Sequence, residues 1–158
     1  MDDQTITSYL TLLDQGEMSL SGLLDWGSNY TFLVDLCIEN DNEENGTTLR
    51  AVYKPQRGER PLWDFPRGSL YRRERTAFLV SELLEWRIVP PTIIRNGPYG
   101  KGSVQLFIAH NPDEHYLTFD GQFADQLQRF VLFDAVINNA DRKSGHVLLD
   151  ADDRLWSI

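Results

Sequence analysis

The alternation of apolar and polar positions predicts two β-hairpins. Residues 30–39 and 48–54 are rich in β-branched and aromatic side chains, and the polar string NDNEENG lies between them. The pair Asn45-Gly46 in that string readily takes the positive φ angles of a tight turn. Shorter apolar runs at 93–95 and 103–110 flank a second turn-forming string, NGPYGKG. We therefore expect antiparallel strands in the N-terminal part of the chain.

Three other segments have the periodicity of helices. Residues 6–13 are weakly amphipathic, and residues 69–86 place apolar side chains at helical spacing behind a serine that is positioned to cap the helix. Residues 121–138 carry so many apolar side chains that we expect a mostly buried helix. Two short strands, at 146–149 and 154–158, are expected to follow it.

Composition and charge exclude several classes of protein. The chain has 158 residues, of which 41% are apolar, and its formal net charge is −9. These values favour one folded domain over disorder, and the acidic balance argues against a nucleic-acid partner. Cys37 is the single cysteine, so an internal disulfide is excluded. No apolar run approaches 18 residues, and the N-terminus lacks the basic residues of a signal peptide. We expect a cytoplasmic protein without an integral membrane segment.

The charge is unevenly distributed along the chain. Residues 1–49 contain ten acidic residues and neither lysine nor arginine. Residues 54–75 contain seven basic residues and three acidic ones. This basic segment could receive an anionic ligand, or it could simply balance the acidic N-terminal segment.

Lys54 and Glu74 form a candidate ion pair. Lys54 ends a predicted strand, where alternation places it on the same side as Val52. A strand lysine is often solvated, but it can also neutralise phosphate oxygens, as in kinase-type ATP sites. Glu74 lies on the helix face expected to point inward, where a carboxylate needs a cation. Lys54 is one candidate partner; Arg72 or Arg75 at the surface is the alternative.

The string NNADRKSGHVLLD carries the second candidate group, because Asp141 and His146 are five positions apart. Protein kinases use this spacing in the catalytic loop, where an aspartate orients or deprotonates the acceptor hydroxyl and an asparagine five residues later binds the metal. An imidazole can also ligate a divalent ion, although it suits magnesium less well than an amide oxygen does. The structural alternative is that Asp141 ends a helix and that His146 is a buried, hydrogen-bonded strand residue.

Two further segments complete a candidate nucleotide site that also includes Val52, Lys54 and Glu74. The turn before the first hairpin offers backbone N–H groups and short polar side chains that suit a polyphosphate. Its residues are Gly27, Ser28 and Asn29. Later, a strand runs into an irregular loop at the position where a two-lobed kinase has its hinge, and its backbone could pair with an adenine edge. The residues there are Phe107, Ile108 and His110.

In this order the features resemble a bacterial kinase-like family that is itself similar to phosphatidylinositol 3- and 4-kinase catalytic domains, and more distantly HipA-type kinases. The strings AVYKPQRGERPLWDFP, YRRERTAFLVSELL, VPPTI and NNADRKSGHVLL carry the resemblance, across about residues 20–158. It implies an α+β, protein-kinase-like two-lobed fold in which residues 1–158 form one domain. Residues 1–108 would be the N-lobe, an antiparallel sheet with a helix, and residues 109–158 the start of a truncated, mainly helical C-lobe.

The resemblance also implies roles for individual residues. Lys54 would bind phosphate, Glu74 would tether it, Asp141 would be the catalytic carboxylate and His146 would replace the metal-binding asparagine. The implied cofactors are ATP and Mg²⁺ or Mn²⁺, and the implied reaction transfers the γ-phosphoryl group to an unidentified hydroxyl acceptor.

The sequence departs from the family pattern in one respect. A second metal-binding aspartate, in a D-x-G motif, is expected directly after the last strand, and the sequence stops at RLWSI. We therefore expect a chain that is C-terminally incomplete, with uncovered apolar surface on its helical part. Such a chain is expected to be inactive alone. The alternative is a pseudokinase that senses a nucleotide or binds a protein, with this chain inactive because the second metal-binding aspartate is absent.

Overall fold

The computed structural model describes residues 1–24, 30–38, 47–60, 63 and 65–158. Over these residues the protein is α+β, with three α-helices, a five-stranded antiparallel sheet and a separate two-stranded sheet. The turns expected at 27–29 and 45–46 lie outside the described residues.

The helices are α1 Asp3–Gln15, α2 Leu70–Leu83 and α3 Ala124–Ile137. The strands are β1 Glu17–Leu24, β2 Thr31–Ile38, β3 Thr47–Pro55, β4 Thr92–Gly97, β5 Gly100–Leu106, β6 Val147–Leu149 and β7 Leu155–Ser157.

The chain divides into two compact units. The first consists of Met1–Thr76 and Pro91–Phe107, and the second of Ala77–Pro90 and Ile108–Ile158. The chain passes from the first unit to the second within α2, returns just before β4 and leaves again after β5.

The large sheet of the first unit has the strand order β1-β2-β3-β5-β4. Both predicted hairpins are present, as the antiparallel pairs β2–β3 and β4–β5. Strand β1 was not predicted from the sequence. Its residues are mostly exposed and its register shifts between Leu20 and Gly22, so the apolar alternation that marks a half-buried strand is missing.

One face of this sheet packs against α1 and forms the core of the first unit. The hydroxyl of Tyr53, within that core, donates to the Gly100 carbonyl at 2.6 Å, and burial raises the pKa of this phenol. Because successive strand residues point to opposite faces of the sheet, the core residues contributed by the strands follow the period of two that the sequence predicts, and α1 adds Leu13 to them. The members of this core are Leu13, Val34, Leu36, Ala51, Tyr53, Ile93 and Val104.

The opposite face of the sheet, which we call the polar face, carries the side chains that matter below. Lys54 stands directly across from Ser103, and Gln105 stands across from both Val52 and Thr92. Thr92, Ser103 and Gln105 are buried, and the Gln105 amide donates to the Thr92 hydroxyl at 2.9 Å. Buried polar groups need hydrogen-bond partners within the protein, so the polar side chains of this face bond to one another.

Helix α3 in the second unit corrects the expectation of a mostly buried helix. Only Phe130 and Phe133 of this helix are buried, whereas Val131 is 71% exposed, Leu132 59% and Val136 62%. The apolar pattern is as read from the sequence, but the buried side of the helix is limited to where β7 approaches it and where the ring of Trp86 lies 6.4 Å from that of Phe133. A pattern of apolar residues shows which side chains prefer burial and does not show what covers them.

Candidate functional site

Lys54 and Glu74 are brought together on the polar face of the first unit. The Nζ of Lys54 lies 2.9 Å from Oε1 of Glu74, and each side chain is 30% exposed. Of the partners that the sequence left open for Glu74, the structure has Lys54, so the pair joins the end of β3 to the first half of α2. Both side chains are partly removed from solvent, so the ammonium and the carboxylate are each other's direct partner at this point of the polar face.

Ser103 completes this group, and the sequence reading did not single it out. Its hydroxyl donates to Oε2 of Glu74, the carboxylate oxygen that does not contact Lys54. The serine is 1% exposed and faces Lys54 across the β3–β5 ladder. Only the register of two strands about fifty residues apart reveals this neighbour, so no local signal could have found it.

Gly102 allows the two strands to approach at this point. A Cβ atom at position 102 would lie 2.3 Å from the carbonyl oxygen of Lys54 and 2.8 Å from Cα of Pro55. Any other residue would push β5 away from β3 beside the ion pair. The glycine therefore has a steric role in the site.

The start of α2 is fixed by Glu59 and not by the serine that the sequence suggested. The Glu59 carboxylate accepts from the backbone N–H groups of Leu70 at 3.1 Å and Tyr71 at 2.8 Å. The Ser69 hydroxyl donates backwards to the Pro66 carbonyl at 2.6 Å. A carboxylate at a helix N-terminus also interacts favourably with the helix dipole. Glu59 thus anchors the helix that carries Glu74.

In the second unit, the loop of residues 138–146 is organised around Asp134. The guanidinium of Arg142 donates Nε to Oδ2 of Asp134 at 2.9 Å and a terminal nitrogen to Oδ1 at 2.6 Å. The Asn139 amide donates to the same Oδ1 at 2.9 Å. Arg142 also donates to the Ser157 hydroxyl and to the carbonyl of His146. A bidentate arginine–carboxylate pair has a fixed geometry, so it ties this loop to α3.

Asp141 projects from this loop towards solvent. Its side chain is 79% exposed, and its carboxylate lies 3.2 Å from Nζ of Lys143, which is itself 64% exposed. The backbone N–H of Asp141 donates to the side-chain oxygen of Asn139 at 3.2 Å. The backbone of Asp141 is therefore held by the loop, while its carboxylate remains accessible.

His146 is half-buried at the end of the same loop. Its Nδ1 accepts a long hydrogen bond from the backbone N–H of Lys143 at 3.4 Å. The ring is thereby oriented by the loop that carries Asp141.

Within the described parts of the chain, no three side chains of the metal-binding types come close enough together to hold an ion. Magnesium is commonly bound through one or two carboxylates and the phosphates of a substrate, and such an ion would belong to the nucleotide.

The remaining predicted nucleotide-binding residues have different positions. The N–H of Phe107 donates to the Arg50 carbonyl at 3.1 Å, which extends the β3–β5 pairing by one bond. The carbonyl of Ile108 accepts from Nδ1 of His110 at 2.8 Å. Val52 is half-buried on the polar face, on the side of Lys54. Gly27, Ser28 and Asn29 lie outside the described residues.

Comparison with known proteins gives one curated relative and no family assignment. The chain is 37% identical over 182 aligned positions to a Mycobacterium tuberculosis (strain ATCC 25618 / H37Rv) protein named Protein Rv2133c. The alignment covers 93% of the chain and 63% of that relative, so the chain spans less than two thirds of its length. No family model matches, and no solved structure matches significantly.

The helices in the described ranges were compared with the requirements of a membrane-spanning segment. None of them has both the length and the apolar character that crossing a bilayer requires.

Proposed function

We propose that this chain is the nucleotide-binding part of an ATP-dependent phosphotransferase, which transfers the γ-phosphoryl group to a hydroxyl acceptor. The observation that carries the proposal is the Lys54–Glu74 ion pair beside Ser103. A lysine has three N–H donors, and Glu74 occupies one of them. The remaining donors of a partly exposed, ordered ammonium suit the oxygens of a phosphate chain.

The α+β architecture supports a kinase-like, two-lobed interpretation of the fold. It contains an antiparallel sheet, a helix that pairs its glutamate with a strand lysine, and a later loop with the order Asp141, Arg142 and His146. The resemblance to phosphatidylinositol 3- and 4-kinase domains adds to this, without identifying the acceptor.

Asp141 is the residue proposed to orient or deprotonate the acceptor hydroxyl. Its carboxylate is exposed, and the backbone that carries it is fixed by Asn139 and by the Asp134–Arg142 pair. Arg142 itself is committed to Asp134, to Ser157 and to the backbone carbonyls of His146 and Ile158, so we assign it a structural role.

The first test is nucleotide binding to the chain, measured as the thermal shift on titration with MgATP. Saturation at one hundred times Kd stabilises a protein by about 2.7 kcal/mol, so the shift should be readily detected. We expect Lys54→Met to lose the shift and Lys101→Met, at an exposed lysine of β5, to retain it. Absence of saturable binding to the unmodified chain would contradict the proposal.

The second test separates chemistry from binding. Asp141→Asn should reduce ADP production by about 100-fold or more, the usual range for loss of a general base, while MgATP binding is retained. Lys143→Ala, which removes the neighbour of Asp141, is the control and should leave binding unchanged. Measurable turnover that is equal in D141N and in the unmodified chain would refute the role of Asp141.

A second candidate function is a pseudokinase that senses a nucleotide or binds a protein partner. The observation in its favour is His146, because the resemblance implies a metal-binding asparagine at this position and the Nδ1 of His146 instead accepts from the backbone N–H of Lys143. Saturable MgATP binding without ADP production would support a nucleotide-sensing pseudokinase. If MgATP changes neither the thermal stability nor the amount of ADP, a pseudokinase that binds a protein partner is the form supported.

A further inference from the structure

We propose that Ser103 is a positioning residue that holds Glu74 in the orientation in which it tethers Lys54. This inference deepens the proposed function and rests on it, because the value of an ordered Lys54 is its contact with phosphate. Ser103 does not touch the nucleotide in this proposal; it acts through the Glu74 carboxylate.

The geometry divides the two carboxylate oxygens between two donors. Oε1 of Glu74 contacts Nζ of Lys54 at 2.9 Å, and Oε2 accepts from the hydroxyl of Ser103. The terminal torsion of a glutamate is broad and roughly two-fold, so one contact alone leaves the carboxylate free to rotate. With both oxygens engaged, the rotation is stopped and the ion pair keeps one geometry.

The position of Ser103 makes this contact rigid. It stands directly opposite Lys54 on the neighbouring strand, at a cross-strand pair whose Cβ atoms lie about 4.5–5.5 Å apart. The serine is 1% exposed, so its hydroxyl has no competing bulk water. Gly102, next to it, lets β5 approach the backbone of Lys54. The hydroxyl and the ammonium therefore reach the same carboxylate from adjacent strands.

Removal of the hydroxyl should loosen the ion pair without abolishing it. In Ser103→Ala the Oε2 atom loses its donor, and the carboxylate can rotate to expose that oxygen to water. Lys54 then shares its partner with solvent, and its ammonium is less well ordered for phosphate. Ser103→Thr keeps a hydroxyl at the same position and should preserve the arrangement.

Competitive acetylation of the three lysines tests this directly. Lys54, Lys101 and Lys143 are the only lysines in the sequence, so the rate of Lys54 relative to Lys101 can be read by mass spectrometry in one digest. Glu74→Gln should raise this ratio about two- to five-fold, the range expected when an ion pair of this exposure is lost. S103A should raise it in the same direction by a smaller factor, and S103T should match the unmodified chain.

Ser81→Ala is the matched control for burial. Ser81 is fully buried in α2, and its hydroxyl accepts from the backbone N–H groups of Ile88 and Val89 at 2.9 and 3.2 Å. S81A should lower stability without changing the Lys54 ratio. If Ser103 served only to stabilise the fold, S103A would likewise lower stability and leave the labelling ratio of Lys54 to Lys101 unchanged. Should S103A fail to fold, Ser103→Cys, which has nearly the same volume and a weaker donor, takes its place.

Measurement of MgATP binding to the same variants separates this inference from the proposed function. S103A should raise the Kd for MgATP, and S81A and S103T should not. An unchanged labelling ratio or an unchanged Kd in S103A overturns the role of Ser103 while the proposed function stands. If the unmodified chain binds no MgATP, the proposed function fails and the inference fails with it, whatever the labelling ratio shows about the Ser103–Glu74 contact.

Discussion

The carboxylate of Asp134 accepts three side-chain hydrogen bonds, two from the guanidinium of Arg142 and one from the amide of Asn139. Both members of the ion pair are largely buried, with side chains 14% and 19% exposed. Nothing in the local sequence marks Asp134, since a helix can expose an aspartate at any surface position. Its role depends on Arg142, eight residues later, folding back across the end of α3.

Asp134→Ala should therefore destabilise the second unit by about 2–3 kcal/mol, because it leaves a largely buried guanidinium without its carboxylate. Urea denaturation gives the difference in the free energy of unfolding. The control is Asp141→Ala, whose exposed pair with Lys143 should contribute less than about 1 kcal/mol. Equal costs for the two variants would contradict the assignment of Asp134 as the anchor of the loop.

Asp35 gives a pH dependence whose sign follows from its partners. A hydrogen bond from Ser21 and then one from Arg50 hold the pKa of this carboxyl below its usual range. Since the folded pKa lies below the unfolded value of about 3.9, the stabilisation is present above that value and is lost as the pH falls through the folded pKa.

We expect Asp35→Asn to be less stable than the unmodified chain near neutral pH, by at most about 1 kcal/mol because solvent screens the pair, in which the Arg50 side chain is 56% and the Asp35 side chain 32% exposed. The difference should narrow as the pH falls below about 4. Denaturation curves at several pH values measure this. When Ser21→Ala is introduced first, Asp35→Asn should cost less free energy of unfolding at neutral pH, because one of the two hydrogen bonds to Asp35 is already lost. A stability difference between D35N and the unmodified chain that widens in acid would contradict the predicted pH dependence.

At the scale of elements, α2 shows how a local signal can point to the wrong residue. Serine is a common N-cap, and Ser69 precedes the helix. In the structure its hydroxyl turns back to Pro66, and the helix N-terminus is occupied by Glu59, eleven residues before Leu70. A short-range rule cannot find a cap that the preceding loop supplies.

Glu59→Ala should cost about 0.5–2 kcal/mol, the range for loss of a helix N-cap, and should increase hydrogen exchange at Leu70 and Tyr71. Ser69→Ala should have a smaller effect and leave exchange at these amides unchanged. The reverse order of the two variants would return the capping role to Ser69.

The other elements also differ in how well the local sequence predicts them. The two hairpins follow from period-two alternation around turn-forming strings, and the structure contains both. Strand β1 has no such alternation, because it is an exposed strand at the sheet edge with a register shift. Helix α3 has the expected helical period, and its exposed side is decided by which elements pack on it.

At the scale of the whole molecule, the second unit presents large apolar side chains to solvent. Apolar surface of this kind binds hydrophobic dyes. Its most exposed members are Leu83 at 82%, Leu117 at 73%, Val131 at 71%, Val136 at 62% and Leu132 at 59%.

The double variant Val131→Gln with Val136→Gln should therefore bind less ANS than the unmodified chain, while its free energy of unfolding changes by no more than about 0.5 kcal/mol per site. The matched control places glutamine at Thr7 and Thr11, two exposed positions of α1, and should leave ANS binding unchanged. A large loss of stability in the α3 variant would show that these valines are packed.

The sequence by itself predicted the helices and strands of an α+β chain, with both hairpins and all three helices, and named Lys54 as one candidate partner of Glu74, because each of these depends on periodicity or on the charge requirement of one inward position. Only the tertiary structure decided the partners that come from far along the chain: Ser103 beside Glu74, Glu59 at the start of α2 and the uncovered side of α3. These depend on strand register and on which surfaces meet, and the free energy of a buried polar contact is fixed only when both partners are in place.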